Sequence, residues 1–148
     1  MTLEIKSIGP RDKPAWLPLW RGYQAFYKVD IAAAVTQSTW FRMLDPSEPV
    51  HGALAVLDGK AVGLVHFLFH RSTWTVSNIC YLQDLFVTPG NRSLGIGERL
   101  VAHVYEQARI AGCPEVYWLT HETNTTAMKL YDRVAKRDGF VQYSKTLG

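Results

Sequence analysis

Cysteine is scarce in this chain. Its 148 residues hold two, Cys80 and Cys113, too few for a disulfide framework and without the spacing of a metal site. Long apolar runs are missing as well: no stretch approaches the ~18–20 residues that a membrane span needs. No block of like charges interrupts the sequence and the net charge is only +3, so neither nucleic acid nor a membrane is an expected partner. The opening residues Met1-Thr2-Leu3-Glu4-Ile5-Lys6 lack the basic-then-apolar pattern of a secretory signal, and a reducing cytoplasm is the expected location. With no internal repeat, low-complexity stretch or linker, one domain over residues 1–148 is expected, long enough to bury a core.

What is present is a mixture of two periodicities. Leu3, Ile5 and Ile8 predict an opening strand, broken by Gly9-Pro10. Trp16, Trp20, Tyr23 and Tyr27 recur at helical spacing within residues 12–28, and Pro14 and Pro18 place the proper start of that helix near Trp16. A second helix is expected over 32–44. Residues 51–57 and 60–69 are strand-like runs joined by Asp58-Gly59, a hairpin signal. A further strand spans 81–87 and ends at Thr88-Pro89-Gly90. Leu100, Val101, Val104, Tyr105, Ala108 and Ala111 then repeat at helical period up to Gly112. A strand over 115–120, a helix marked by Ala127, Leu130, Tyr131 and Val134, and a closing strand over 140–144 complete a mixed α/β chain.

The strongest chemical signal is Arg92-Ser93-Leu94-Gly95-Ile96-Gly97 between the strand that ends Leu85-Phe86-Val87 and an amphipathic helix. Glycine lets backbone amides approach a ligand closely. A helix start adds unpaired N–H groups and the positive end of the dipole, which together suit a pyrophosphate. Two glycines alone could equally do no more than shape a strand-to-helix turn. Position 100 is Leu, so the dinucleotide fingerprint is excluded, and no Gly-Lys-Ser/Thr of a P-loop is present.

Arg92-x-x-Gly95-x-Gly97 resembles the coenzyme A signature of the GNAT acetyltransferase superfamily. In that family Gly usually stands where this chain has Ser93, which is tolerated if its φ is negative. Asn124-x-x-Ala127-x-x-Leu130-Tyr131 is similar to the start of the family's following helix, with Asn124 and Tyr131 two turns apart on one face. The likeness is nearest to the diamine-acetyltransferase-like and the histone/polyamine-type branches. One departure is the insertion of Ala135-Lys136-Arg137-Asp138 before Gly139-Phe140.

The resemblance implies a GNAT fold: a central mixed, mostly antiparallel twisted sheet of about seven strands flanked by about four helices. It also implies acetyl-CoA as co-substrate without a metal, held by Leu85, Phe86, Val87, the 92–97 loop, Asn124, Ala127 and Tyr131. Asn124 would bond the pantetheine arm, Tyr131 would protonate the leaving thiolate as the catalytic acid, and the amide at or beside Val87 would stabilise the carbonyl oxygen as it becomes negative. The implied reaction is direct attack by a primary amine of a small molecule (amino acid, aryl or alkyl amine, or polyamine) in a ternary complex. A protein-lysine acetyltransferase and a CoA-binding regulatory module without transfer are the alternatives. A homodimer is expected by the same analogy.

An alkyl amine has a pKa of roughly 10.4 and is almost wholly protonated at pH 7, so the site must remove a proton. Relatives that act on polyamines carry carboxylates where this chain has Gln83 and Gln24, so a polycation is not the expected acceptor. The candidate acceptor contacts are Tyr23, Gln24, Phe26, Gln83 and Glu122. The base stays open among His66, Asp84, His121, Glu122 and water.

Overall fold

Prolines decide how the first helix begins. In a computed structural model that describes all of residues 1–148, β1 (Leu3–Ser7) leads into α1 (Lys13–Tyr27), which starts earlier than Trp16 because Pro14 sits in its first turn. There a missing N–H leaves no helical bond unmade. Pro18 lies inside α1, two positions beyond Trp16, whose amide makes the first i→i−4 bond to Asp12, so the helix forgoes one bond at Pro18. After α2 (Ala33–Leu44) come β2 (Val50–Leu57) and β3 (Lys60–His70). Asp58 and Gly59 both have positive φ, 51° and 83°, as a two-residue type I′ hairpin requires.

The remaining elements are β4 (Ile79–Val87), a 3₁₀ turn (Pro89–Asn91), α3 (Ile96–Ile110), β5 (Val116–Tyr117) and α4 (Thr125–Val134). The strands form one sheet in the order β1-β2-β3-β4-β5, antiparallel except for the β4–β5 pair. The sheet therefore has five strands rather than about seven. Residues 140–144 form no strand, and Phe140 and Tyr143 are exposed. A strand needs a partner edge, and β5 is itself only two residues long.

Each sheet face carries its own core. Leu100, Val101, Val104 and Ala108 of α3 pack with Ala53, Ala55, Val65, Phe67, Cys80 and Leu82 on one face. On the other, Trp16, Leu19 and Trp20 of α1 and Trp40 of α2 pack with Leu54, Leu64 and Phe86. The aromatic stripe of α1 is thus core at its N-terminal half, as apolar helical periodicity usually means.

Two irregularities in β4 shape the cleft beside it. The first is a bulge: His66 pairs with Asp84 but Phe67 pairs with Leu82, so Gln83 is left without a partner. Leu82 faces the α3 core, whereas Asp84 meets His66 on the α1 face. The second is a splay, since β5 pairs with β4 only through Cys80↔Val116 and Tyr81↔Tyr117. Beyond Tyr81 the two strands part, and β4 continues alone on that side to Val87.

Candidate active site

The splay opens a cleft of about 560 Å³ between β4, α3 and α4, closed on one side by the end of α1. Its floor is Leu85, Phe86 and Val87, and its head is the loop leading into α3. Gly95 caps that helix with φ 78° and no side chain bonds the free amides of the first turn. Those amides and the helix dipole face the cleft as an anion site.

The two glycines do different work. A Cβ on Gly95 would meet nothing within 4 Å, so its need is conformational, while a Cβ on Gly97 would lie 3.2 Å from Leu130 Cδ2 and require that side chain to give way by a few tenths of an ångström. Ser93 does not meet the condition of a negative φ: its φ is 66°, in the left-handed region that strains any residue with a Cβ.

Every residue predicted for cofactor contact lines this cleft except Leu94, whose side chain points outward and is half exposed. Arg92 stacks over the Phe26 ring at 4.3 Å and donates from Nε to the Val87 carbonyl at 2.9 Å. Lys129 and Arg133 add cationic side chains from α4. Sequence reasoning missed them, though their spacing of four on one helix face is a signal that could have found them. Arg133 is held by Glu98 of α3 at 3.1 Å across the mouth.

Asn124 caps α4, its Oδ1 accepting from the Ala127 amide at 3.4 Å. Tyr27 lines the same cleft. Tyr131 stands beneath Trp118, their rings 5.4 Å apart edge to face. Burial, with the Tyr27 hydroxyl nearby, pushes its pKa up to about 12, so the phenol keeps its proton at neutral pH.

A second cavity of about 160 Å³ adjoins the cleft and shares Tyr27, Leu85 and Tyr131 with it. Tyr23, Gln83 and His121 line this smaller space together with Trp118, Leu119 and Thr120. Of the predicted acceptor contacts, Tyr23 and Gln83 are therefore brought together. The other three are not. Phe26 belongs to the larger cleft under Arg92. Gln24 is spent on the α1–α2 connection, donating to the Trp20 carbonyl and accepting from the Ile31 amide. Glu122 is exposed in the loop before α4 and lines neither cavity. Tyr27 is the residue that sequence reasoning left in the general aromatic stripe, although it lines both spaces.

No group of three or more His, Cys, Asp or Glu side chains is arranged to hold a metal ion, and no helix is long and apolar enough to cross a membrane.

Comparison with known proteins bears on the fold and the family. The chain is 38% identical over 143 residues to the D-amino-acid N-acetyltransferase HPA3 of Saccharomyces cerevisiae, a match covering 95% of this chain and 89% of that one. It is 38% identical over 76 residues to the thialysine N-epsilon-acetyltransferase of Sus scrofa, covering 51% of this chain and 43% of that enzyme. Among solved structures, AAC(6')-Iy in complex with the bisubstrate analog CoA-S-monomethyl-acetylneamine superposes over the whole of both chains with a TM-score of 0.87 at 18% identity, a likeness of fold. The sequence profile described as the Acetyltransferase (GNAT) family matches residues 16–135, and the chain belongs to that family.

Proposed function

We propose that this protein transfers the acetyl group of acetyl-CoA to the primary amine of a small molecule by direct attack in a ternary complex, with a free amino acid as the favoured acceptor class. The observation that carries this is the meeting of two unequal cavities at Tyr131 and Tyr27. The larger has helix-start amides and three cationic side chains at one end and an apolar strand floor at the other, features that suit a diphosphate joined to a long uncharged arm. The smaller has room for a compact acceptor and is lined mainly by aromatic and leucine side chains, with Gln83, Thr120 and His121 as its polar members. Gln83 lines that cavity where a polycation would want a carboxylate, and the yeast relative matched over nearly its whole length is a D-amino-acid N-acetyltransferase.

The chain's own residues supply three services. The first-turn amides of α3, with Arg92, Lys129 and Arg133, bind and neutralise phosphates. The splay exposes β4 backbone beside the cleft floor, which positions an N–H for a carbonyl oxygen that becomes negative. Tyr131 stands where the sulfur departs. A thiol titrates near 8.5, well below Tyr131 at about 12. Outright proton transfer to sulfur is therefore uphill, and the hydroxyl stabilises the departing thiolate chiefly by donating a hydrogen bond.

Free-thiol release from acetyl-CoA with a panel of D- and L-amino acids, alkyl and aryl amines and spermidine tests the reading. Amino acids are expected to outpace spermidine. Tyr131→Phe is expected to lower kcat by roughly 10–10²-fold, the worth of one hydrogen bond to a charged group, with the acetyl-CoA KM within about threefold. Absence of thiol release with every amine would leave a CoA-binding module without transfer, and acetylation confined to intact proteins would move the acceptor to lysine side chains. We place this activity in a homodimer in the cytoplasm. The exposed apolar tail residues Phe140, Val141, Tyr143 and Leu147 support the pairing, and light scattering that finds a monomer at micromolar concentration would remove it.

A further inference from the structure

We propose that Tyr23 and Asp84 form the path by which the acceptor ammonium loses its proton, with His66 holding Asp84 ready to receive it. This rests on the transfer function proposed above and supplies the base that function needs. Asp84 is a carboxylate in an unusual place. The bulge at Gln83 turns it onto the α1 face of the sheet, into the aromatic core of Trp16 and Trp20, where its side chain is only 13% exposed. No Lys or Arg pairs with it. A buried anion without a cation is costly unless donors surround it.

Two donors are present. His66, 3% exposed, places Nδ1 2.9 Å from Asp84 Oδ2 and Nε2 2.9 Å from Trp16 Nε1. An indole N–H can only donate, so Nε2 accepts and the ring's proton sits on Nδ1, facing the carboxylate. The imidazole is wedged against Trp20 with ring centroids 4.9 Å apart. His66 thus holds Asp84 in place but cannot itself take up a proton without losing Trp16. The second is the Tyr23 hydroxyl, whose ring stacks on Trp20 and which lies near enough to Asp84 that burial first, and then the carboxylate's charge, raise the phenol's pKa.

Tyr23 also lines the smaller cavity. With its proton directed at Asp84, the hydroxyl oxygen has lone pairs free for that cavity. The other titratable groups around Asp84 are Tyr27 from α1 and Tyr81 on its own strand, both neutral phenols at ordinary pH. If the carboxylate served only to hold His66, a neutral acceptor would do as well there. A charge is needed only if something positive arrives.

The step balances without any further reactant. An N–H bond of the ammonium breaks as a Tyr23 O–H bond forms, and the original Tyr23 O–H bond breaks as an Asp84 carboxyl O–H forms. The neutral amine then attacks. The proton lost later, as the amide forms, matches the one the departing thiolate takes up, and Asp84 returns its proton through Tyr23 to solvent once the product leaves. Tyr23 is the residue that touches the acceptor, and Asp84 acts through it.

The test is kcat/KM against pH from 6 to 9.5, using the best acceptor of the thiol-release panel, for the wild type, Asp84→Asn, Tyr23→Phe and the double variant. The wild type binds the ammonium and is expected to give a flat profile. Each single variant can use only the neutral amine, so its kcat/KM should start about 10²-fold down at pH 7 and climb about tenfold per pH unit towards the acceptor's own pKa. The double variant should be no worse than the poorer single one, because both interrupt one path. The acetyl-CoA KM should stay within about threefold. Variant profiles parallel to that of the wild type, or losses that multiply in the double variant, overturn the path while leaving the transfer function standing. A wild type that turns over no acceptor overturns both. Should Asp84→Asn fail to fold, Tyr23→Phe at its half-buried position carries the same test through the slope of its profile.

Discussion

At the scale of single residues, the loop before α3 holds the clearest conflict between local preference and function. Ser93 occupies the left-handed region at φ 66°, where the family places glycine. A Cβ in that conformation costs roughly 1–2 kcal/mol, and part of the gain from removing it is returned because glycine has more freedom to lose on folding. Ser93→Gly is therefore expected to stabilise the protein by about 0.5–1 kcal/mol, or a rise in Tm of roughly 1–4 °C by calorimetry for a chain of this size. Ser93→Val, branched at Cβ, should shift Tm the other way. An unchanged Tm in both would mean the loop carries no strain. The motif itself was legible in the sequence because glycine positions report backbone need directly. The sign of φ at Ser93 was not, since a serine is compatible with either and only the path of the chain between the 3₁₀ turn and α3 decides it.

Elements were legible to the extent that one periodicity governs each. The apolar spacing of α3 and the Asp58-Gly59 turn mark features whose cause is local, and both stand as expected. The face of a β4 side chain has no local cause. Strict alternation would put Leu82, Asp84 and Phe86 on one side, whereas the bulge against β3 sends Leu82 to the α3 core and the other two to the α1 face. That is why Asp84 could not be ranked from sequence among the possible bases. The tail over 140–144 failed as a strand for a related reason: alternation states that a strand is possible, but a partner edge decides whether it forms.

The pairing of α3 with α4 yields a prediction at this scale. Glu98 lies in the first turn of α3, where a carboxylate suits the helix dipole, yet it holds Arg133 across the mouth of the phosphate end. Both groups are about half exposed or more, so their ion pair contributes little to stability. Releasing the arginine should nevertheless favour an anionic ligand. Glu98→Gln is expected to lower the acetyl-CoA KM by roughly 2–5-fold and Arg133→Ala to raise it by a similar factor. Both effects should fade as salt approaches 1 M, where the Debye length is about 3 Å. Steady-state kinetics at two ionic strengths reads this, and a salt-independent change would point to packing instead of charge.

Across the whole molecule, the sheet separates two sets of titrating groups. The α1 face holds Asp84 and His66, with Tyr23 between them and the smaller cavity. The α3 face holds His51 and His103, packed against Phe67 at ring-centroid distances of 5.4 and 6.4 Å, and His103 has a buried Nε2 with no hydrogen-bond partner. Burial lowers the pKa of both histidines from the ordinary 6.5. Above pH 6.5 each is neutral folded and unfolded, and contributes nothing to a pH slope. As pH falls below 6.5 the unfolded chain takes up protons that the folded one refuses, so stability declines with acidity until the folded values are reached. The expected result is a Tm steady above pH 6.5 and lower by several degrees at pH 5, followed by calorimetry. His51→Phe with His103→Leu replaces both by apolar side chains that keep the contacts around Phe67, and should flatten that decline. Because the pair lies across the sheet from Tyr23 and Asp84, the same double variant should leave the pH profile of kcat/KM unchanged. A variant that kept the full acid loss of Tm would move the stability sensor elsewhere, and one that altered the activity profile would show that the two faces are coupled through the sheet.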